Sequence, residues 1–493
     1  MFFSVDNVVL IVSILLFISI IAGKTGYRFG VPILVLFLTV GMLFGHDGFG
    51  LEFSNPQNAQ FIGVLALNTI LFSGGMDTKY TEIKPIALQG ILLATLGVLL
   101  TALITGVFVY WLTQHVFTAV TFSFLEALLL ASVMSSTDSA SVFAILGAKG
   151  LVLKERARPL LELESGSNDP VAYLLTIMFI QWLQLGAGSL WQIIGHFAVQ
   201  LFVGALLGYL LGRVAIRIIN KINLDNASLY PVLLLTTLFI VYSITNSLNG
   251  NGYLAVYISG LVAGNSKFIH KRTSKKYMDG MAWLFQIGMF LTLGLLVNPS
   301  ELLPVAGIGL AISLFMIFIS RPVSVWFCLL PFRKMSARVK YYISWVGLRG
   351  AAPILFATYP WTSGVNHADT IFNIVFFVTL VSLLVQGTTV PAVAKWLKLA
   401  GTHKPVNKLS TFEVELPEEI KSSMSEILIK KEHLLRGNKI MDMPMPENTL
   451  VVMVKRGEHY FVPTGSSLLE PGDELLIISD NEQSLKETYA KLM

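Results

Sequence analysis

Long apolar stretches recur along the first 400 or so residues and limit how this chain can fold. Thirteen of them are long enough to cross roughly 30 Å of hydrocarbon. The composition agrees, since 54% of the residues are hydrophobic, only 13% are charged and the mean hydropathy is +0.68. These values exclude an ordinary soluble domain and predict a polytopic membrane protein. The stretches are residues 8–22, 31–45, 59–74, 85–112, 124–147, 159–183, 190–212, 229–248, 252–264, 281–297, 302–330, 341–359 and 370–397.

The positive residues between these stretches alternate in a regular way. Lys and Arg follow the odd-numbered stretches, as in Lys149, Lys154, Arg156 and Arg158 after the fifth, and are almost absent from the intervening loops. Because cytoplasmic loops carry the excess of Lys and Arg, we predict an external N-terminus and a cytoplasmic C-terminus. The net charge of +5 is spread over these loops, so the expected surroundings are membrane lipids and no nucleic acid polymer.

Two of the thirteen stretches are interrupted by polar or helix-breaking residues. Ser135 to Ser141 interrupt the fifth, and residues 347–353 interrupt the twelfth. Unwound backbone at membrane depth is tolerated where it lines a cavity, and in transporters such breaks form ion sites in inverted repeats. We therefore predict an all-α membrane domain of about thirteen helices, in which spans one to six and eight to thirteen are inverted copies and the two broken helices cross.

Charged side chains inside an apolar domain need partners. A buried guanidinium cannot deprotonate to escape its desolvation cost, so Glu164 is expected to pair with Arg321 or, as a second choice, with Arg349. Glu164 and Asn168 stand one helical turn apart, as do Ser165 and Asp169. The two pairs therefore point in adjacent directions and are free for separate roles.

Asp169 has no obvious fixed partner, and an intramembrane carboxylate without one marks an ion or proton pathway. We predict that it binds either one proton or one monovalent cation, which gives a one-for-one, electroneutral exchange. Asn168, Thr137, Asp138 and Ser165 are the expected neighbours, with the cation held at Asp169, Thr137 and Asp138. Asp138 has an alternative role as the cap of the second half of the fifth helix.

These motifs resemble the monovalent cation:proton antiporter family, which includes bacterial sodium/proton and potassium/proton exchangers and the animal sodium/proton exchangers. The resemblance covers roughly residues 5–400 and rests on motifs that occur in the same order. It implies that Asp169 is the transporting carboxylate, that Thr137 and Asp138 belong to the broken helix, and that Glu164 and an arginine form a structural ion pair. The motifs are Ser136-Thr137-Asp138-Ser139, Glu164-Ser165, Asn168-Asp169, Arg321-Pro322 and Gly347-Leu348-Arg349-Gly350.

The resemblance also bears on the ion, the assembly and the location. Many relatives have Thr-Asp-Pro where this chain has Thr137-Asp138-Ser139. The sequence around Glu164 and Asp169 is more similar to the potassium/proton branch of the family. K⁺ is therefore the favoured transported cation, and Na⁺ is the alternative. In the family fold, a mobile core domain lies against a dimerisation domain. The core domain includes spans five, six and twelve. A homodimer in the inner (plasma) membrane of a bacterium is therefore expected.

Residues 405–493 differ in composition from the rest and are predicted to form a small cytoplasmic α+β domain. Strands are expected at 411–416, 449–454 and 474–479, and a closing helix at 481–492. The segment resembles the C-terminal domain of the regulator of potassium conductance, through Arg456-Gly457, Pro463-Thr464-Gly465 and Gly472-Asp473-Glu474-Leu475. That resemblance implies regulation, with a small nucleotide such as a cyclic dinucleotide as a possible ligand. The alternative is a dimerisation module without a ligand.

No motif predicts an enzyme or a cofactor, and the single cysteine, Cys328, excludes an internal disulfide. Two functions compete with antiport. A cation channel would need a filter-like sequence, which we do not find. A non-transporting ligand sensor would depend entirely on residues 405–493, which we call the tail.

Overall fold

The computed structural model describes residues 5–29, 32–51, 53, 55–118, 120–186, 190–402, 424–429, 434, 437–443, 449–457 and 459–479. Among the described residues, helices dominate the first unit of the chain, Met1–Thr402, and strands dominate the second, His403–Met493. The helices are α1 (Val5–Phe29), α2 (Ile33–Phe44), α3 (Pro56–Asp77), α4 (Tyr80–Ile83), α5 (Ala87–Leu92), α6 (Val98–His115), α7 (Phe124–Val133), α8 (Ser139–Ala148), α9 (Ala157–Leu185), α10 (Leu190–Lys221), α11 (Leu229–Ser247), α12 (Gly252–Gly264), α13 (Lys271–Leu296), α14 (Pro299–Phe315), α15 (Arg321–Leu329), α16 (Ala337–Trp345), α17 (Ala351–Thr362) and α18 (Ala368–Trp396).

Each of the thirteen apolar stretches contains at least one of these helices, and the predicted helical membrane fold is confirmed. Within the described residues, seven helical segments are long and apolar enough to cross a membrane, and others are shorter. The number of thirteen spans stays a prediction. Helix α9 has 29 residues but is not among the seven, because charged side chains lower its hydropathy.

Interruptions occur at matching places in the two predicted repeats. The fourth and eleventh spans each carry a π-helical segment, Leu93–Gly97 and Met316–Ser320. The fifth and twelfth are each split, into α7 and α8 and into α16 and α17. Single-turn π-helical segments are rare inside α-helices and are frequent near functional sites. The position of all four interruptions agrees with the inverted-repeat prediction.

The helices of the first unit divide into two groups by their packing. Helices α1–α3 and α10–α13 contact one another most extensively, and so do α4–α9 with α14–α18. We call the second set the core group and the first set the flanking group. Where they meet, α9 and α17 of the core group lie against α3 and α12 of the flanking group. Both broken helices and α9 therefore belong to the core group.

A short antiparallel ribbon of two strands was not predicted. Strand β1 (Leu151–Leu153) follows α8, and β2 (Ala400–Thr402) follows α18. Val152 pairs with Gly401, and the backbone N–H of Lys154 donates to the carbonyl of Leu399 at 2.9 Å. The ribbon joins the connection between α8 and α9 to the last residues of the first unit.

The second unit contains a four-stranded antiparallel sheet in the order β3-β6-β4-β5. Strands β4 (Thr449–Arg456) and β6 (Glu474–Ser479) agree with the prediction, while the edge strands β3 (Met424–Leu428) and β5 (His459–Phe461) were missed. The predicted strand at 411–416 and helix at 481–492 lie outside the described residues. Two of the motifs quoted for this domain contact each other. Arg456 Nε and Nη2 donate to the carboxylate of buried Asp473 at 2.8 and 2.7 Å. Burial by itself raises the pKa of Asp473, but these bonds and one from the Glu470 N–H hold it below its usual value.

Candidate functional site

The two broken helices contact each other at their breaks through a hydrogen bond between backbone groups. Helix α7 ends before Met134 and α8 begins after Asp138, while α16 ends before Val346 and α17 begins after Gly350. The N–H of Asp138 donates to the carbonyl of Leu348 at 2.7 Å. This bond satisfies polar backbone groups that the interrupted helices leave free at membrane depth.

Helix α9 presents one face to the first break. Asn168 Nδ2 donates to Thr137 Oγ1 at 2.6 Å, and Ser165 Oγ donates to the Thr137 carbonyl at 2.9 Å. The N–H of Ser139 in turn donates to Ser165 Oγ at 3.0 Å. Asn168 and Thr137 are buried and Ser165 is partly buried. The structure therefore brings Thr137, Ser165 and Asn168 together, as the sequence predicts. The amide of Asn168 anchors Thr137 of the first break to α9.

Asp169 lies on the same face of α9 and is partly exposed. Its Oδ1 accepts a hydrogen bond from Ser136 Oγ, a serine of the break. We find no cationic partner for Asp169 within the described residues. Ser136 belongs to the quoted motif but was not predicted to contact Asp169. Hydroxyl and carboxylate oxygens so arranged suit a hard monovalent cation.

Asp138 caps α8, as the alternative interpretation of this residue predicts. Its Oδ1 accepts from the Ser141 N–H at 3.1 Å, and its Oδ2 accepts from the Ser141 hydroxyl. A Cβ built on Gly350 would lie 2.3 Å from Asp138 Oδ2, so the N-terminus of α17 approaches the same carboxylate and tolerates no larger residue. Two positive helix ends thus face Asp138 and favour its charge. The Asp-x-x-Ser spacing of residues 138 and 141 is the sequence signal for this cap.

Glu164 contacts the first of its two candidate arginines. Arg321 Nη2 donates to Glu164 Oε1, and both side chains are almost fully buried. Arg349 lies elsewhere: its Nε donates to the Met134 carbonyl at 3.1 Å and its Nη1 to the Gly347 carbonyl at 3.0 Å. Arg349 therefore places a positive charge at the C-terminal, negative end of α7.

A cavity of about 710 Å³ approaches the break from the end of the helices that carries the loop with Lys149. Its walls come from α2, α3, α8 and α13 and include Ser141, which contacts Asp138, as well as Asp77 and Asp279. The Ser73 hydroxyl donates to Asp279 Oδ1 at 2.8 Å. The cavity runs between the core and flanking groups and reaches Ser141, next to the first break.

Residues 11–396 match the family described as "Sodium/hydrogen exchanger, transmembrane". The chain belongs to this family. Residues 424–492 of the exchanger match the TrkA-C domain, the same domain as the C-terminal domain of the potassium-conductance regulator. The predicted antiporter family and the predicted tail domain are both confirmed.

Two relatives match the exchanger in sequence over nearly its whole length. The K(+)/H(+) antiporter NhaP2 of Shewanella sp. (strain MR-4) is 37% identical over 98% of this chain and 83% of its own length. The K(+)/H(+) antiporter NhaP of Alkalimonas amylolytica is 36% identical over 96% of this chain and 81% of its own. The solved sodium proton antiporter MjNhaP1 from Methanocaldococcus jannaschii has 21% identity, a TM-score of 0.65, and covers 78% of this chain and all of its own; it supports the fold alone.

Proposed function

We propose that this exchanger moves K⁺ against H⁺, with Asp169 as the group that binds each in turn. The observation that carries the proposal is the difference between three neighbouring carboxylates. Glu164 contacts an arginine and Asp138 sits at two helix N-termini, whereas Asp169 contacts a serine hydroxyl and is partly exposed. Asp169 is thus the carboxylate whose charge is left to a mobile ion.

The same comparison supports a stoichiometry of one to one. A cation bound at Asp169 replaces one proton, and the charges of Glu164 and Asp138 stay balanced by Arg321 and by helix ends. The net charge that crosses the membrane in a full cycle is then zero. Asp169, the Ser136 hydroxyl and Thr137 Oγ1 are the proposed oxygen ligands, with Asp138 and Ser165 next to them and Asn168 holding Thr137. Glu164 and Arg321 are the proposed structural pair, and Arg349 holds the two breaks together.

K⁺ is proposed over Na⁺ because two relatives that are 37% and 36% identical to this chain over nearly its whole length are named as K(+)/H(+) antiporters. Na⁺/H⁺ exchange by the same mechanism is the alternative. The family and the many apolar helices support a multi-pass protein of a bacterial inner membrane, with the N-terminus outside and the C-terminus in the cytoplasm. A homodimer is proposed from the resemblance to the family, with the exposed apolar face of α10, which includes Phe202, Leu206 and Leu210, as the proposed contact surface.

Proteoliposomes with a pH-sensitive dye test this function. We expect proton movement on addition of K⁺ or Rb⁺, a weaker response to Na⁺ and Li⁺, and the same rate when the membrane potential is clamped at different values. A rate that follows the potential would refute the one-to-one stoichiometry. K⁺ flux without opposite proton movement would refute antiport and favour a channel.

We further propose that the tail regulates exchange through the β1–β2 ribbon, with a small nucleotide as a candidate ligand. Strand β2 is the last described element before the second unit, and β1 lies between α8, which Asp138 caps, and α9, which carries Asp169. A change at the end of the first unit therefore acts directly on the connection between the two helices of the site.

Deletion of residues 403–493 is expected to retain exchange and to displace its pH profile. Lys154→Pro in the full chain should reproduce that displacement, because proline lacks the N–H that bonds to the Leu399 carbonyl. Lys154→Ala is the matched control, since it keeps the N–H, and should behave as the wild type. Dye-based exchange at a series of pH values measures all three. Loss of all exchange on deletion would favour the ligand-sensor function, and a normal profile for Lys154→Pro would exclude a role for the ribbon.

A further inference from the structure

A cluster of four tyrosines closes the contact between the core and flanking groups on the other side of Asp169 from the cavity. Tyr173 lies one turn beyond Asp169 on α9, and Tyr359 lies near the far end of α17. Tyr242 on α11 and Tyr253 on α12 face them from the flanking group. We call these four residues the tyrosine cluster. It includes contributions from two helices of each group.

The contacts within the cluster bridge the two groups. The ring of Tyr253 packs edge-to-face against Tyr173 with centroids 4.9 Å apart, and Tyr173 packs in the same way against Tyr359 at 5.3 Å. The hydroxyls of Tyr253 and Tyr359 are 3.2 Å apart and form a hydrogen bond across the contact. Tyr253 is fully buried. Such aromatic pairs are favourable beyond the area that they bury.

A polar contact next to Asp169 reinforces the closure. Asn251, which caps α12, donates from Nδ2 to the carbonyl of Pro170 at 2.8 Å and is itself buried. One turn further toward the cavity, the ring of Tyr257 covers Gly166, where an added Cβ would lie 2.2 Å from a ring carbon. Helices α9 and α12 therefore meet closely on both sides of Asp169, and the contact beyond it is made of aromatic rings.

A cavity approaches this contact from each end. The first cavity reaches Ser141 beside the break. A second cavity of about 710 Å³, lined by His46, Glu301 and Trp361 among others, opens at the opposite end, and Trp361 lies two residues beyond Tyr359. Tyr173 lies beyond Asp169 along α9, and Tyr359 lies near the end of α17 that carries Trp361, so the cluster is on the side of Asp169 toward this second opening.

We propose that the tyrosine cluster is the gate that separates Asp169 from the face of the protein that carries the loop around Phe49. For the site to open to that face, the hydrogen bond between Tyr253 and Tyr359 and the ring contact between Tyr173 and Tyr253 have to break together. This inference rests on the proposed antiport function. Tyrosine suits the position because its ring excludes water while its hydroxyl keeps a partner in the closed state.

Thiol labelling of the full chain tests the gate. In a Cys328→Ala background, Tyr253→Cys is exposed to a membrane-impermeant thiol reagent from the face that carries Phe49. We expect slow labelling that accelerates several-fold when K⁺ and a pH gradient drive turnover. With Tyr242→Cys as the reporter, which keeps the hydroxyl of Tyr253, adding Tyr359→Phe removes the hydrogen bond across the contact and should raise the labelling rate by about two- to tenfold. Phe49→Cys, in an exposed loop, is the control and should label fast under every condition.

Two further measurements keep the gate falsifiable. Tyr242→Cys replaces Tyr253→Cys as the reporter if the latter does not accumulate in the membrane. Exchange by the Cys328→Ala parent, measured in the same vesicles, tests antiport separately. The gate would be overturned if exchange is normal but the reporters never label from the face that carries Phe49. It would also be overturned if they label equally fast with and without turnover. Either result would leave the proposed function intact. Labelling only from the face that carries Lys149 would also overturn it.

Discussion

Asp169→Asn is expected to reduce cation/proton exchange to the level of empty liposomes. Asparagine has nearly the same shape and can keep the contact with Ser136, but it neither releases a proton nor offers a negative charge to a cation. Dye-based exchange in proteoliposomes with K⁺, Na⁺, Li⁺ and Rb⁺ measures the effect. The loss should be the same for every cation, since each depends on the same carboxylate.

Asp225→Asn is the matched control for this substitution. Asp225 is an exposed residue in the loop between α10 and α11, so the same chemical change there should leave exchange unchanged. Size-exclusion profiles of both variants check that the fold is retained. Wild-type exchange rates in Asp169→Asn would remove the central claim, because no proton could then be carried at this position.

Arg321→Met is expected to lower the free energy of unfolding by about 3–5 kcal/mol. The substitution keeps an unbranched side chain but leaves the Glu164 carboxylate buried without its cation. Removal of one partner of a buried ion pair costs more than removal of both, because the remaining charge is desolvated and unpaired. The double variant Glu164→Leu/Arg321→Met should therefore recover most of the loss. Thermal and denaturant unfolding of detergent-solubilised protein measure the differences.

The chain offers a matched control on the same helix. Arg158 Nε donates to Glu162 Oε1 at 2.8 Å at the end of α9, where the arginine side chain is 53% exposed. Arg158→Met should cost only about 0–1 kcal/mol, since solvent screens an exposed pair. Equal destabilisation by Arg158→Met and Arg321→Met would contradict the role assigned to the buried pair.

The charged residues of the proposed site could be predicted from the sequence because each of them is locally anomalous. A carboxylate, a serine run or an arginine inside a long apolar stretch carries a desolvation cost that a single span cannot avoid, so Asp169, Asp138 and Arg321 stand out without any structure. The strands β4 and β6 were found for a similar reason, since their apolar residues occur between clear turn residues. The edge strands β3 and β5 were missed because they are short.

The partners of these residues depend on contacts between distant parts of the chain. The sequence left Arg321 and Arg349 both open for Glu164, and it did not indicate that Leu348 receives the Asp138 N–H or that Asn251 reaches Pro170. The β1–β2 ribbon joins residues about 250 positions apart through three-residue strands. Pairings of this kind have no local pattern, because any strand or helix end offers the same backbone groups.

The sequence alone therefore predicted a membrane protein with two interrupted helices and a carboxylate at Asp169 in need of a counter-ion, and its motifs resembled the exchanger family. The packing of the folded chain decided which charges are already balanced. Asp138 lies at helix N-termini, Glu164 pairs with Arg321, and Asp169 accepts a hydrogen bond from the neutral hydroxyl of Ser136. These differences arise only when α7, α8, α9, α15 and α17 meet. The reason is physical: a desolvation cost is a property of one residue in its own segment, whereas its compensation is a property of distances that the tertiary structure alone sets.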